Sequence, residues 1–138
     1  MIYLANDHGG VKLKNKIIKF LEKNSVKFEN LGTNTEDSVS YVDYAKKLAL
    51  EVLKDNSNLG ILICKSGIGM SIAANKVKGI RAGLCFNAKM ASLCKKHNNC
   101  NVLVLGSKTK NVNKIIKNFL TTKFEGGRHL DRVNSLED

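Results

Sequence analysis

A cysteine that ends an apolar run and is followed by two glycines and two hydroxyl residues is the strongest chemical signal in this sequence. In Gly60-Ile-Leu-Ile-Cys64-Lys65-Ser66-Gly67-Ile-Gly69-Met-Ser71-Ile-Ala-Ala-Asn75-Lys76 the apolar residues read as a buried strand, the glycines as a turn and the alanines as the start of a helix. A helix N-terminus presents unpaired N–H groups and a partial positive charge, which stabilise an anion and favour the thiolate of a nearby cysteine. Cys64 is then either an acid–base group beside an anion site or a small buried hydrophobe closing a core strand. Gly67 and Gly69 favour the first reading: they let the backbone approach a ligand closely and turn the N–H groups of residues 66–70 inward, and Ser66 adds a hydroxyl donor. No lysine and hydroxyl residue follow the second glycine in GK[ST] order, and GxGxxG is absent, so the loop suits a small anion better than a nucleotide.

Three further groups carry possible chemistry. Asp7-His8 pairs a carboxylate with an imidazole, suited to moving protons on sugar hydroxyls near neutral pH, and this reading is favoured over Asp7 as a cap for the helix beginning near Val11. His97, in Lys-Lys-His97-Asn98-Asn99, closes a helix, where the dipole favours a protonated ring; alone it reads as a cap. Arg128 and Arg132 are four apart and point the same way on a helix. With Arg81 they are the only arginines among 23 basic residues, so two of the three sit in one short motif. That concentration favours a phosphate clamp over a solvated face.

Strands and helices must alternate to position these groups. Strand-like runs recur at Ile2 to Ala5, Val26 to Asn30, Leu59 to Cys64, Ile80 to Cys85 and Asn101 to Leu105. Between them Leu13, Ile17, Phe20 and Leu21, then Tyr44, Leu48 and Val52, fall at helical spacing, and Ile72 to Val77, Ala88 to Lys96 and Val112 to Leu120 also favour helix. This alternation predicts an α/β fold, a Rossmann-like three-layer α/β/α sandwich with about five parallel strands. After the last long helix, the Gly126-Gly127 pair precedes a C-terminal helical tail. Ligands bind beyond the carboxyl ends of such strands, near the point where strand order reverses. Asn6-Asp7-His8, Cys64-Lys65-Ser66 and Gly106-Ser107-Lys108 all fall at strand ends, and the polar loop Leu31 to Ser40 is long enough to line a site.

Length and composition bound the reading. At 138 residues the chain is expected to form one domain over residues 1–138, with no membrane span, signal pattern or lipidation motif, and hence to be cytoplasmic. Cys64, Cys85, Cys94 and Cys100 show no CxxC spacing, which predicts reduced thiols and no zinc site. A net charge of +11 attracts phosphate, but the lysines are spread over nearly every predicted helix. That spread argues against a nucleic-acid partner.

Taken together, the motifs resemble the ribose-5-phosphate isomerase B family, within the sugar-phosphate isomerases that also hold the galactose-6-phosphate isomerase subunits. The likeness runs along nearly the whole chain. It rests on Asp7-His8 with Gly9, the GILICKSGIGMSIAANK run, Gly79-Ile-Arg81-Ala, His97-Asn98 with Asn101-Val102, Gly106-Ser107, and Gly126-Gly-Arg128-His129 with Arg132. The resemblance implies interconversion of D-ribose 5-phosphate and D-ribulose 5-phosphate, a step of the pentose phosphate pathway, through a cis-enediolate and without metal or cofactor. It makes Cys64 the base between C2 and C1, and Ser66 with the N–H groups of residues 67–71, Gly67, Gly69 and Ser71 among them, the holder of the enediolate oxygen. His97, with Asp7 nearby, would open the furanose ring; His8, Arg128 and Arg132 would bind phosphate; Asn98 and Tyr41 would line the sugar pocket. It further implies a homodimer with shared active sites, or a tetramer, and an inactive monomer. Isomerisation of six-carbon aldose phosphates such as allose or galactose 6-phosphate is the alternative. A non-catalytic module binding phosphate or nucleic acid would make Cys64 dispensable.

The chain departs from the family pattern at three positions. Lys65 replaces the usual small residue after the cysteine and brings a cation to the substrate-binding turn. Ser40-Tyr41-Val42 stands where Asp-Tyr-Pro is common, and Lys108 where an arginine often follows Gly-Ser. The last change keeps the charge and loses the bidentate fork.

Overall fold

Five short apolar runs separated by amphipathic stretches fold as the alternation demands. The computed structural model describes residues 1–138. Its strands are β1 (Ile2–Asn6), β2 (Phe28–Asn30), β3 (Leu59–Cys64), β4 (Ala82–Leu84) and β5 (Val102–Gly106). Its helices are α1 (Val11–Lys23), α2 (Tyr41–Val52), α3 (Ile68–Asn75), α4 (Ala88–Asn98), α5 (Val112–Thr121) and α6 (Arg128–Asn134). All pairings are parallel, in the order β2-β1-β3-β5-β4. No helix is long and apolar enough to cross a membrane.

Side-chain alternation along the inner strands divides the core in two. Ile61 and Ile63 of β3, with Leu103 and Leu105 of β5, face Leu13 and Ile17 of α1, Ala91 of α4 and Ile115, Ile116 and Phe119 of α5. Leu62 and Cys64, with Val102 and Val104, face Leu48 and Val52 of α2 and Met70, Ala73 and Ala74 of α3. Strands buried on both faces read as continuous apolar runs, as these do. The period-two pattern therefore sends Cys64 to the α2/α3 side, and Cys85, Cys94 and Cys100 lie on the other.

The edge strands are shorter than the apolar runs indicate. Ile80 closes a turn on the Val77 carbonyl (3.1 Å) and Arg81 is drawn to Asn101, whose Oδ1 accepts its N–H at 2.8 Å. Pairing therefore starts only at Ala82. Val26 turns back to the Leu21 carbonyl at 2.9 Å, so β2 begins at Phe28. The tail helix forms after Gly126 and Gly127, both at positive φ (70° and 53°).

Strand order reverses between β1 and β3, which pair with Asn6 opposite Ile63. The crevice beyond their carboxyl ends is where a sheet of this kind binds its ligand. A helix that follows one parallel strand must run back before the next begins, so α4 starts at the carboxyl edge and ends at the amino edge. The sequence around Cys64 and the sequence around His97 thus lie at opposite ends of the sheet.

Candidate active site

At the carboxyl edge, β3 ends in Cys64 and the chain turns through Gly67 into α3. Gly67 adopts φ +82°, and a Cβ there would lie 2.6 Å from Leu84 Cδ1 and 3.1 Å from the Gly106 nitrogen, so only glycine fits. The turn brings the Gly67 N–H to the Cys64 sulfur at 3.2 Å, and Cys64 is 5% exposed. The Ile68 N–H donates to Ser66 Oγ (3.2 Å) and the Ser71 N–H to the Gly67 carbonyl (3.0 Å). Of the N–H groups at residues 67–71, those of Gly69 and Met70 have no partner in the protein. They are the two groups free to receive an anion. Ser66, exposed, accepts through its oxygen and keeps its hydroxyl proton to donate.

The neighbouring strand end is tied to this turn. The Asp7 N–H donates to the Ile63 carbonyl (3.1 Å), and the Asp7 carboxylate accepts the Gly9 N–H (2.9 Å), capping a short 3-10 turn over His8–Gly10. A Cβ on Gly9 would stand 3.4 Å from Lys65, which shows how closely the two loops pass. His8 Nδ1 accepts the Val39 N–H (3.2 Å), which leaves Nε2 as the ring's donor. His8 is thus oriented by the loop Leu31 to Ser40 and not by Asp7. Tyr41 begins α2 behind its cap Ser40, and its ring lies 2.8 Å from where a Gly69 Cβ would stand. Lys65 is exposed and lines a cleft of about 400 Å³ with Ser66, Phe86, Lys108 and Lys110.

Beneath the loop lies a residue the sequence does not advertise. Lys14 is wholly buried on α1, its ammonium donating to the Thr33 carbonyl and to Asn34 Oδ1 (2.7 Å). Burial lowers its pKa to about 8. A lysine between Leu13 and Ile17 looks solvated in sequence, and its only signal is its place on the apolar stripe of α1.

The remaining candidates sit at the amino edge. His97 and Asn98 end α4, and Arg128 and Arg132 are exposed on α6. The Glu125 N–H donates to the Lys96 carbonyl (3.0 Å), seating the tail on the end of α4. His97 stacks on His129 with ring centroids 4.3 Å apart, and Glu125 lies 3.9 Å from His97 Nε2 and 3.9 Å from Arg128 Nη1. Arg81 holds the following turn through Nε to the Asn99 carbonyl (2.8 Å). The five residues of β5 separate this cluster from Cys64 by roughly 15 Å. Within one chain, Asp7 and His8 are therefore neighbours of Cys64 and Ser66, whereas His97, Asn98, Arg128 and Arg132 form a second group.

All four cysteines are free thiols. Cys85 and Cys94 approach to 3.9 Å, with Cys100 beside them. Hydrogen bonding to Cys94, reinforced by burial, pushes the Cys85 and Cys100 thiols up. These three pack the α1/α4/α5 core, away from the turn.

Known proteins resemble the chain along nearly its whole length. Residues 2–136 match the family model described as Ribose/Galactose Isomerase. A Rickettsia conorii protein, named no more specifically than a sugar phosphate isomerase, is 48% identical over 99% of this chain and 96% of its own length. A ribose 5-phosphate isomerase of Thermotoga maritima superposes with a TM-score of 0.92 at 42% identity, covering 99% of this chain and 96% of that one. Ribose-5-phosphate isomerase B of Mycoplasma genitalium, solved with bound ribulose 5-phosphate, gives 0.91 at 41% identity over 98% and 92%.

Proposed function

The chain belongs to the ribose/galactose isomerase family, as a sugar phosphate isomerase of the ribose-5-phosphate isomerase B type, and we propose that it interconverts D-ribose 5-phosphate and D-ribulose 5-phosphate with Cys64 as base. The Cys64 thiolate takes the proton from C2 of the open-chain aldose and returns it to C1, while the O2 hydroxyl proton passes to O1. The cis-enediolate oxygen that develops between these transfers is held by the Gly69 and Met70 N–H groups and the Ser66 hydroxyl. Donors aimed in advance at a developing oxyanion commonly contribute about 3–4 kcal/mol each. One observation carries this reading: the strand-to-helix turn aims the Gly67 N–H at the Cys64 sulfur and leaves the Gly69 and Met70 N–H groups unpaired.

The substrate's other end needs the second group of residues. One domain over residues 1–138 carries both groups, and the site is completed between two copies of the chain, cytoplasmic and dimeric. His97 and Asn98 of one copy, with Arg128 and Arg132, meet Asp7, His8, Tyr41 and Cys64 of the other. His97 opens the furanose ring, Asp7 keeps its backbone-capped carboxylate beside the sugar hydroxyls, and His8 and the two arginines grip the phosphate. Exposed Ile68 and Ile72, one helical turn apart on α3 beside the turn, offer an apolar surface for that contact.

The test is turnover by purified protein in the presence of chelator. Ribose 5-phosphate should equilibrate with ribulose 5-phosphate, and Cys64→Ala should remove this while leaving the unfolding temperature within a few degrees. Faster turnover of allose or galactose 6-phosphate would reassign the substrate. No turnover of either sugar class, or full activity of Cys64→Ala, would overturn the reading.

A further inference from the structure

We propose that Lys14 is a positioning residue for His8: buried beneath the loop Leu31 to Ser40, its ammonium fixes the base of that loop so that Val39 holds the imidazole in one orientation and one tautomer. What His8 then binds rests on the function proposed above; how His8 is held does not.

Packing alone does not account for a lysine at this position. Leu13, Ile17 and Leu21 carry the apolar stripe of α1 into the core, and Lys14 lies on the same stripe, fully buried. Its ammonium gives up hydration there, so an apolar side chain of similar length would fill the space at lower cost. The loop supplies the reason for the charge. The ammonium donates to the Thr33 carbonyl and to Asn34 Oδ1 (2.7 Å), which also accepts from Asn30 Nδ2 at 2.9 Å. Asn30 Oδ1 in turn accepts the Gly32 N–H at 2.9 Å. Backbone bonds join Asn6 to Gly32 (2.9 Å) and to Thr33 (3.0 Å), which ties the same residues to the end of β1, one residue before Asp7. Bonds from a charged donor are about twice as strong as neutral ones. A second cation, Lys47, reaches the Leu31 carbonyl at 2.9 Å, but it does so in solvent.

From this base the chain reaches His8 with no other polar guidance. Residues 35–38 are exposed and hydrogen-bond to nothing outside themselves. Val39 then donates to His8 Nδ1 (3.2 Å), and Ser40 caps α2. The path from Asn34 to Val39 is therefore set by its two anchors. When the Asn34 end drifts, the Val39 N–H leaves Nδ1, and the ring is free to rotate or to carry its proton on Nδ1 with no donor left at Nε2. A phosphate loses that donor in the ground state and the transition state alike, so KM rises while kcat holds.

Lys14→Met keeps the length of the side chain and removes the ammonium. KM for ribose 5-phosphate should rise about tenfold, the worth of one hydrogen bond to a charged group, with kcat within about twofold. Asn34→Ala, at an exposed position, removes one of the two acceptors and should raise KM less. Lys16→Met deletes the same charge from the exposed face of α1 and should change neither constant. Two NMR readouts need no turnover: with the ring neutral, the His8 ¹⁵N shifts should report a single Nε2-protonated tautomer in wild type and a mixture in Lys14→Met, and the Val39 amide should exchange faster in the variant. A lysine that serves only the fold would lower the active fraction, so a fall in kcat at constant KM with unchanged His8 shifts and Val39 exchange would overturn the proposal. If Lys14→Met does not fold, the same two NMR readouts in Asn34→Ala decide. A disturbed His8 with unchanged KM would support the positioning and count against His8 as a phosphate ligand.

Discussion

The two ends of the sheet are built by different means. At the carboxyl edge the reactive groups are fixed by backbone: Cys64 ends a central strand, Gly67 aims an N–H at its sulfur, and the Ser107 N–H locks the Lys65 carbonyl at 3.0 Å. At the amino edge the groups are side chains on helix ends and the connection between them, and the charged ends of His97, Glu125 and Arg128 approach one another no closer than 3.9 Å. Proton transfer between adjacent carbons tolerates little misplacement, whereas a phosphate can be gripped by long side chains that settle on it. Under the proposed function each end supplies what the other lacks.

The largest effect should come from mixing two dead enzymes. If the site is shared, Cys64→Ala and His97→Ala are each nearly inactive alone. Unfolded together and refolded at equal amounts, half of the dimers contain one of each, and each such dimer has one intact site. About a quarter of wild-type activity should return. No recovery, with mixed dimers verified by mass spectrometry, would place the whole site within one chain and break the comparison.

A smaller effect separates the ends by their glycines. Gly67→Ala must bear both the left-handed backbone and a Cβ 2.6 Å from Leu84, so it should lose about 3 kcal/mol of stability and most activity. Gly126→Ala bears only the backbone strain, because nothing lies within 4 Å of its Cβ, and should lose about 1 kcal/mol. Denaturant unfolding of both variants measures the difference. Equal losses would mean that the Gly67 turn is no better determined than the tail.

Much of the carboxyl edge is legible in sequence because its signals are local. An apolar run, a cysteine and two glycines name a strand, a group and a turn without knowledge of the rest of the chain. The amino-edge residues announce their types equally well, but their place depends on direction: a helix after a parallel strand ends at the far side of the sheet, which connectivity alone could have revealed for His97. The free donors at Gly69 and Met70 emerge only once the Ser66 hydroxyl and the Cys64 sulfur are seen to occupy the N–H groups beside them. Glu125 and His129 needed three-dimensional placement, since no spacing rule links the end of α4 to the start of α6. Lys14 was hidden for a different reason. Composition assigns lysine to water, and only the loop carbonyls above it reverse that assignment.

Lys14 also gives the carboxyl edge a pH signature. Its ammonium supports the Thr33 and Asn34 end of the loop whose Val39 orients His8. Burial lowers its pKa from 10.5 to about 8, so between these values the unfolded chain holds a proton that the native chain has released. Stability rises with pH wherever the unfolded state binds more protons, so this group adds stability as pH climbs from about 8 to 10.5 and contributes no slope below 8. The gain is at most about 3 kcal/mol by the free energy of one pKa unit. Lys14→Met lacks the titration, so the wild type should gain on the variant across that window in urea unfolding at pH 7, 8, 9 and 10. A difference that stays constant over the series would mean that Lys14 keeps its proton under the loop, held there by the Thr33 carbonyl and Asn34 against the cost of burial.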